Sequence, residues 1–577
     1  IAGGERNSSN ATWDALVGGY SNNINKSSAS FIGGGYDHSL NQSHYGSISA
    51  GYKHKILLSD YAFIGGGEQD GSSTTIHTSP HSAVVGGKNN IIESNSPSGE
   101  ISSGSFLGGG ETNKINASRH SFIGGGADNL IGDYSTVRSS SHASAIVGGE
   151  DQNIYNTEYA FIGGGTGNTI GVRSISINRA HGSPYSAIVG GFNNDITGES
   201  TGSFIGAGFS LDIDKSLHSI ILGGTSHNII SSSKSMIGAG ESNEILSSEN
   251  SAIMSGRHAN IVNSAESSIV SLAASFSSTK PSGVFNSTAS FIGGGQSHQI
   301  SASAMSIVVG GSNNKIKDSS VLSAIIGGQR QRMSGSEFSL IGSGQENIIL
   351  DSNFSTILTH QTSPASSISN QGIHGSEYSL LGSGAQSSIS GSDYSVILST
   401  YQGEIQNSDY SLLGSGFKNK ISSSIHSAIL LGDTNKILHT DASGSKSNAN
   451  TKHNTIINGD ENAIKTNYVS GSGLTFDNGK SIRHNFIGSG VSNTIMASDL
   501  LGGTGYSIRN SILNGEANQI SASNTSTIVG GYGNKIITGN YSSILGGYEN
   551  TINNDLSNAT ILNGQDNIIS RSFAGVV

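Results

Sequence analysis

The chain has 577 residues, of which 82 are glycine, five are proline and 12% are charged. Glycine is about twice as frequent and charge about half as frequent as in ordinary globular domains, and the low proline content excludes collagen and proline-rich linkers. The net charge is −11, and the sequence has no basic stripe, which argues against nucleic-acid binding. The absence of cysteine excludes disulfides and thiolate chemistry.

The composition also indicates where such a chain is found. Cysteine-free chains rich in Ser, Thr, Asn and Gly are common among bacterial and phage surface proteins, so we expect an extracellular position on a cell or virion surface. No apolar run approaches the ~18 residues of a membrane span, and no signal peptide is visible. Because the sequence begins inside a repeat-like segment at Ile1, we expect it to be a piece of a longer protein.

One short repeat runs along the whole chain. It reads Ser, an apolar residue, Ile, two or three Gly, two variable residues, Asn, a variable residue, Ile, two variable residues and Ser. We find about thirty copies, most often 16 residues apart. In chain order, clear copies begin at Phe31, Phe63, Phe106, Phe122, Phe161, Phe204, Phe291 and Phe486, with weaker copies at Val84, Ile188, Val308, Leu380, Leu412, Val529 and Leu545.

Each copy predicts two short strands joined by tight turns. Paired glycines cost a helix about 1 kcal/mol each, and one repeat is too short for two helices and a turn. Glycine tolerates the positive φ of a tight turn, and Ser, Asn and Asp favour the second turn. Copies stacked about 4.8 Å apart would form parallel ladders. The sequence therefore predicts an all-β chain, in which residues 1–577 form one continuous parallel β-solenoid of about thirty coils of ~16 residues.

The Asn-x-Ile part of the repeat predicts two ladders. The asparagine keeps a fixed offset from the glycine turn, and stacked amides can hydrogen-bond between coils. The isoleucine two residues later lies on the same face of the strand. We therefore predict a buried asparagine ladder, with candidate members Asn113, Asn129, Asn168, Asn419, Asn534 and Asn550.

A third ladder is aromatic, and each of its members is followed by serine. The intervals are 16 residues, with one of 24 that indicates a coil carrying a loop. Such a ladder could bind sugar rings, but a purely structural stack is the favoured interpretation. Its members are Phe338, Phe354, Tyr378, Tyr394 and Tyr410.

Several coils are longer than the period, and the extra residues are polar and rich in turn formers. In solenoids such insertions leave the stack as loops, often on a binding face. We therefore expect any recognition to lie there or on adjacent turns. The insertions lie near residues 70–82, 93–104, 132–144, 171–186, 275–289, 360–376, 439–455 and 466–484.

The repeat resembles the head repeats of YadA-type trimeric autotransporter adhesins and related repeats of phage tail fibres. The matching segments are Ser203-Phe204-Ile205-Gly206-Ala207-Gly208, Met236-Ile237-Gly238-Ala239-Gly240 and Leu340-Ile341-Gly342-Ser343-Gly344. The resemblance covers nearly the whole chain, although each unit is short. It implies a left-handed β-roll, three chains wound side by side, and attachment to a host or other surface.

The sequence offers little support for catalysis, a metal or a cofactor. No serine lies in a Gly-x-Ser-x-Gly elbow, so we expect no hydrolytic triad. Asp212 and Asp214 share one side of a strand, and paired carboxylates serve glycosidases, but no second acidic pair recurs nearby. The segment Gly124–Asp128 is similar to a calcium nonapeptide repeat, yet its aspartate does not recur at nine-residue steps. We expect the histidines at His38, His44, His54, His77 and His81 to be solvated in turns and loops.

The first strand of many copies carries two consecutive apolar residues, which predicts assembly. Side chains alternate faces along a strand, so one of each pair fills the interior and the other faces outward. Repeated over many coils, the outward residues would form an apolar stripe larger than soluble monomers usually expose. We therefore predict a parallel homotrimer, the number coming from the family resemblance, with Phe63, Phe122, Leu380 and Leu412 or their apolar neighbours at the shared axis.

These observations favour a structural and adhesive function: a trimeric fibre shaft or head whose loops contact a host glycan or protein. Two alternatives stay open, namely a self-assembling filament or matrix protein without a receptor and a β-helical tailspike that degrades polysaccharide. An ice-binding solenoid would need a regular Thr-x-Thr array, which the sequence lacks.

Overall fold

The computed structural model describes residues 1–10, 12–67, 74–94, 101–132, 141–172, 182–273, 282–361, 372–439, 451–466, 482–497, 507–553 and 557–570. The chain divides into two compact units, Ile1–Ile292 and Gly293–Val577. The described residues contain strands and turns but no α-helix. Both units are parallel β-solenoids, and the two together have about 29 coils. This confirms the predicted fold class.

Each coil contributes one short strand to each of two sheets. In one coil of the first unit, Phe31–Ile32 belongs to the first sheet and Ser39–Asn41 to the second. Ile32 pairs in parallel with Ile48 of the next coil, and Leu40 pairs with Ile56. The repeat therefore sets the register, since equivalent residues of successive coils lie directly above one another.

The first sheet consists of the strands that begin each repeat. In the first unit they are Ala15–Leu16, Phe31–Ile32, Ser47–Ile48, Phe63–Ile64, Ala83–Val84, Phe106–Leu107, Phe122–Ile123, Ala145–Ile146, Phe161–Ile162, Ala187–Ile188, Phe204–Phe209, Ile220–Thr225, Met236–Ile237, Ala252–Arg257, Ser268–Ala273 and Phe291–Ile292. In the second unit they are Ile307–Val308, Ala324–Ile325, Leu340–Gln345, Thr356–Gln361, Leu380–Ala385, Val396–Tyr401, Leu412–Phe417, Ala428–Ile429, Thr455–Ile456, Phe486–Ile487, Ser511–Ile512, Thr527–Ile528, Ser543–Ile544 and Thr560–Ile561.

The second sheet consists of the strands that follow the glycine turns. In the first unit they are Ser8–Ser9, Asn23–Asn25, Ser39–Asn41, Lys55–Leu57, Thr75–His77, Ile91–Glu93, Lys114–Asn116, Leu130–Ile131, Asn153–Ile154, Thr169–Ile170, Asp195–Thr197, Asp212–Asp214, Asn228–Ile230, Glu244–Leu246, Asn260–Val262 and Gly283–Phe285. In the second unit they are Gln299–Ser301, Lys315–Lys317, Arg332–Ser334, Ile348–Leu350, Gly372–His374, Ser388–Ser390, Glu404–Gln406, Lys420–Ser422, Lys436–Leu438, Ala463–Thr466, Thr494–Ala497, Gln519–Ser521, Lys535–Ile537, Thr551–Ile552 and Ile568–Ile569. The second unit also has a three-stranded sheet of Thr451–Lys452, Ile482–Arg483 and Ser507–Ile508.

The core of each unit is two columns of apolar side chains, one from each sheet. Ile32 of the first sheet and Leu40 of the second have no exposed surface, and the same holds for Ile325 and Ile316 in the second unit. The residues on either side of each inward residue point outward, because side chains alternate along a strand. Burying one such aliphatic side chain stabilises the fold by about 1.5–3 kcal/mol.

The turns depend on left-handed backbone conformations. Gly126 has φ of 94°, and a Cβ built on it would lie 2.0 Å from the carbonyl oxygen of Gly149 in the next coil, so only glycine fits. Other left-handed positions carry side chains, such as Asp37, Gln42 and Tyr45 with φ of 56°, 50° and 57°. These residues let each short coil close on itself at a conformational cost of about 1 kcal/mol apiece.

Part of each proposed insertion lies outside the described residues. The described margins of these segments belong to the sheets: Thr75–His77 and Gly372–His374 are strands of the second sheet, and Ile482–Arg483 is a strand of the third. The insertions are therefore shorter than the sequence pattern indicates.

Candidate interaction face

The predicted asparagines occupy one inward column between the glycine turn and the second sheet. Asn129 shows the full pattern of bonds. Its Nδ2 donates to the carbonyl oxygens of Gly125 and of Gly149 in the next coil, both at 3.0 Å. Its Oδ1 accepts a bond from the backbone N–H of Gln152. Each amide thus supplies the backbone bonds that the tight turn cannot make for itself.

All six predicted asparagines are buried in this column. The most frequent bond between coils runs from a backbone N–H to a side-chain oxygen, rather than from amide to amide as we expected. Amide-to-amide bonds also occur, from Asn129 to Asn113 at 2.9 Å and from Asn550 to Asn534 at 3.1 Å. The six are Asn113, Asn129, Asn168, Asn419, Asn534 and Asn550.

Histidine replaces asparagine in some coils of this column. His38 and His54 lie in adjacent coils with rings stacked at 5.0 Å, and the His38 Nδ1 accepts a bond from the His54 backbone N–H at 3.0 Å. His227 and His298 accept the same bond from the next coil. All four are buried, so the expectation that His38 and His54 are solvated was wrong. The sequence signal was their position three residues after the last glycine, where other coils have asparagine.

Burial fixes the charge state of these histidines. Loss of hydration lowers the pKa of His38 from 6.5 to about 4, with a further contribution from neighbouring His54, while the backbone groups of Gly51 and Gly34 oppose the shift. Burial likewise lowers the pKa of His227 to about 4. It also lowers the pKa of His54 and of His298. The rings are therefore neutral at pH 7 and substitute for an uncharged amide.

Sequence reasoning missed two further inward columns, both of serine. The Oγ of Ser43 donates to the carbonyl oxygen of Asn41 at 3.0 Å and accepts from the backbone N–H of Ser59 in the next coil at 2.9 Å. In the second column, Ser219 Oγ donates to the Ser232 carbonyl oxygen and accepts from the Ser235 backbone N–H. Both columns could have been found by aligning the serines that close each repeat.

The predicted aromatic ladder lies on the outside of the second unit. Ring centroids of Phe338, Phe354, Tyr378, Tyr394 and Tyr410 are 4.7–4.9 Å apart in sequence order, with interplanar angles of 0–2°. The stack continues through His426, His453 and His484. Because each ring covers the face of the next, the stack leaves only ring edges along its length, which favours a structural role over stacking of sugar rings.

The outward side chains of the first sheet form the most unusual surface of each unit. Phe63 and Phe122 are 37% and 38% exposed, whereas the residues after them, Ile64 and Ile123, are fully buried. Leu380 and Leu412 in the second unit are half-buried, with Leu381 and Leu413 in the core. The four residues proposed for a trimer axis therefore face outward. We call the residue before each inward residue the leading column, the residue after it the trailing column and the next residue the glycine column.

These three columns contain no charged residue in any described coil. Their polar members are only Ser, Thr and Asn, although 12% of the chain is charged. By contrast, the outer face of the second sheet carries ion pairs, such as Lys420 with Glu404 at 2.9 Å and Lys114 with Glu93. The leading, trailing and glycine columns together are named the uncharged face.

In many coils, though not in all, one of the leading and trailing residues is large and the other is small. A leading phenylalanine is followed by a trailing glycine, and the ring lies over it: the Cε1 of Phe122 is 3.2 Å from where a Cβ on Gly124 would be. A small leading residue is followed by a large trailing one, as in Ala83 and Val85, and Val85 is 47% exposed. Further exposed large residues of the trailing column are Val17, Val147, Val189, Leu222 and Met254 in the first unit and Ile326, Leu358, Leu398, Leu513, Leu545 and Leu562 in the second.

The acidic pair predicted from the sequence lies on the surface of the first unit. Asp212 and Asp214 lie on the outer face of the second sheet, where burial and the nearby Asp195 raise the pKa of Asp212 to about 6. Asp214 forms an ion pair with Lys215 at 3.3 Å. Within the described ranges, no three His, Asp or Glu side chains are grouped in a way that could hold a metal ion.

The fold and the columns define each unit as a parallel β-solenoid whose described coils share an uncharged outer face. No family model matches the sequence, and no curated protein matches it. No helix in the described part of the chain is long and apolar enough to cross a membrane.

Proposed function

We propose that this chain is the structural and adhesive part of an extracellular fibre, carried on a cell or virion surface as a parallel homotrimer. The uncharged face carries this proposal. Soluble monomers rarely expose a contiguous apolar patch larger than a few hundred Å², and a face without charge along every described coil needs a cover.

Identical chains are the simplest cover for this face. Chains related by a three-fold axis would bring the same columns together at the same height, with Phe63, Phe122, Leu380 and Leu412 near the axis. The number three and the left-handed coil come from the resemblance to YadA-type heads and tail fibres. The rest of the surface would stay free to contact a host glycan or protein, and the insertions, which lie partly outside the described ranges, are the expected contact sites.

The mass in solution tests the assembly. Sedimentation or light scattering at micromolar concentration is expected to give about 177 kDa, three times the chain mass of 59.0 kDa. A stable mass of 59.0 kDa would contradict the proposal. Species that grow with concentration would favour the self-assembling filament instead.

Binding assays test the adhesive role. Saturable binding of the trimer to a glycan array or to host cells is expected, because a fibre that attaches to a surface must recognise it. Release of reducing sugar from a capsule polysaccharide would instead favour a tailspike. Absence of binding to every surface tested, with intact trimers, would leave only the structural part of the proposal standing.

A further inference from the structure

At several of its positions the glycine column is not explained by the packing of the described residues, although a Cβ on Gly223 would lie only 2.9 Å from the carbonyl oxygen of Ala207. Gly34, Gly125 and Gly148 lie half-exposed in this column of the first unit, and a Cβ built on any of them would meet no heavy atom within 4 Å. None of the three has positive φ. Alanine would therefore fit, and it would stabilise the fold by about 0.4–1 kcal/mol by restricting the unfolded chain.

The column is nevertheless glycine in most coils of the first unit. Its members there are Gly18, Gly34, Ala50, Gly66, Gly86, Gly109, Gly125, Gly148, Gly164, Gly190, Ala207, Gly223, Ala239, Ser255 and Ser271. Glycine at a position that tolerates a side chain indicates close approach of another backbone. No described residue lies within 4 Å of a Cβ built on Gly34 or Gly125, so another molecule is a candidate source of that backbone.

The size of the uncharged face suits a stable protein interface. About sixteen strands stacked about 4.8 Å apart give a length of roughly 70 Å in the first unit, and three residues of about 3.3 Å give a width of roughly 10 Å. The resulting area of about 700 Å² is close to the ~800 Å² that each partner buries in a standard interface.

The spacing of the columns on the uncharged face indicates which partner can bind along its full length. The columns recur once per coil, so full-length contact requires a partner surface with the same spacing, and a second copy of this chain has it. We infer that a second copy of this chain lies against the uncharged face, with its main chain closest to the glycine column. This inference rests on the proposed homo-oligomer and specifies where its chains meet.

Cysteine cross-linking tests the inference directly, because the chain has no cysteine of its own. Gly125→Cys places a thiol in the glycine column, and Asn153→Cys places one on the outer face of the second sheet as a matched control. A disulfide needs Cβ atoms about 3.5–4.5 Å apart. On mild oxidation we expect G125C to form a covalent dimer band on a non-reducing gel, with N153C staying at the mass of one chain.

Leucine substitutions in the glycine column test the same contact by their effect on the affinity of self-assembly. The triple variant Gly34→Leu, Gly125→Leu and Gly148→Leu adds side chains where the chain itself leaves space, so we expect an intact β-sheet circular dichroism spectrum and at least a tenfold weaker assembly. The control is Asn23→Leu, Ser39→Leu and Asn153→Leu on the second sheet, which should assemble like the wild type.

The outcomes separate the inference from the proposed function. A trimeric wild type whose leucine variant and G125C protein behave like their controls would overturn the inference and leave the trimer standing. A monomeric wild type would overturn both. If the leucine variant fails to fold, the corresponding triple alanine variant decides: weaker assembly with equal or higher thermal stability supports the inference, and unchanged assembly overturns it.

Discussion

The buried histidines predict that the solenoid loses stability in acid at particular coils. The test uses a quadruple variant that places at each histidine the asparagine that other coils carry in the same column. Its substitutions are His38→Asn, His54→Asn, His227→Asn and His298→Asn. At His38, His227 and His298 the histidine Nδ1 accepts a backbone N–H from the next coil. A protonated ring cannot accept that bond, and charging it would leave two donors facing each other.

The magnitude follows from the shift in pKa. His38 and His227 each have a folded pKa of about 4 against 6.5 in the unfolded chain. The difference of about 2.5 units corresponds to about 3 kcal/mol per ring at 1.36 kcal/mol per unit. Because the folded pKa is the lower one, the unfolded state binds the proton more tightly. The stabilisation is complete above pH 6.5, declines as the pH falls towards about 4, and is lost below that.

Hydrogen–deuterium exchange resolved by peptide is the appropriate assay, since stability in solenoids is local. After correction for the intrinsic exchange rate, we expect protection around His38 and His54 to fall about 100-fold between pH 6.5 and 4 in the wild type. The asparagine variant should keep its protection there, and the coil around Asn129 should behave alike in both proteins. An identical pH dependence of the two proteins at His38 would refute the reasoning.

Three other perturbations test the remaining features. Asn129→Asp removes a donor shared by two carbonyl groups, so we expect the free energy of unfolding in urea to fall by about 2–5 kcal/mol. The same substitution at exposed Asn23 should change it by less than about 0.5 kcal/mol. Equal effects would exclude the ladder role. Tyr378→Ala removes two ring contacts and should cost about 1–3 kcal/mol. This is more than we expect for Tyr541→Ala at the equivalent left-handed position, where the adjacent coils carry Thr525 and Asn558 instead of aromatic residues; the reverse order in thermal unfolding would contradict a stabilising stack. Deletion of residues 467–481, which lie outside the described ranges, should leave the solenoid folded by circular dichroism, because the flanking strands Ala463–Thr466 and Ile482–Arg483 pair with strands outside the deleted segment; loss of the fold would show that the segment belongs to the core.

The sequence was sufficient to predict the fold class because the repeat carries two independent signals. Paired glycines exclude helix. Within each strand, the alternation of inward residues such as Ile32 and Leu40 with outward neighbours is typical of β-structure. The same alternation showed that Phe63 and Phe122 face outward. Stacking of the aromatic residues could be inferred from their spacing alone, because equal offsets in successive coils place side chains directly above one another.

Other features could not be read from a single copy of the repeat. His38 looks like a loop histidine in its own sequence context, and its burial emerges only when every coil is aligned on the glycine turn. The exchange of bulk between Phe122 and Gly124 is likewise a relation between two columns. The open space around Gly125 depends on the positions of neighbouring coils, which no one-dimensional pattern supplies.

The bonds of Asn129 have a consequence for how such a chain can change in length. They connect its coil only to the coils immediately before and after, so each solenoid is a one-dimensional lattice with nearest-neighbour coupling. Duplication or loss of a whole 16-residue coil preserves every column and alters stability by one constant increment. Loss of a single residue within a strand instead turns every following side chain of that strand to the opposite face. Genetic change that adds or removes whole coils is therefore the tolerated route by which such a solenoid becomes longer or shorter.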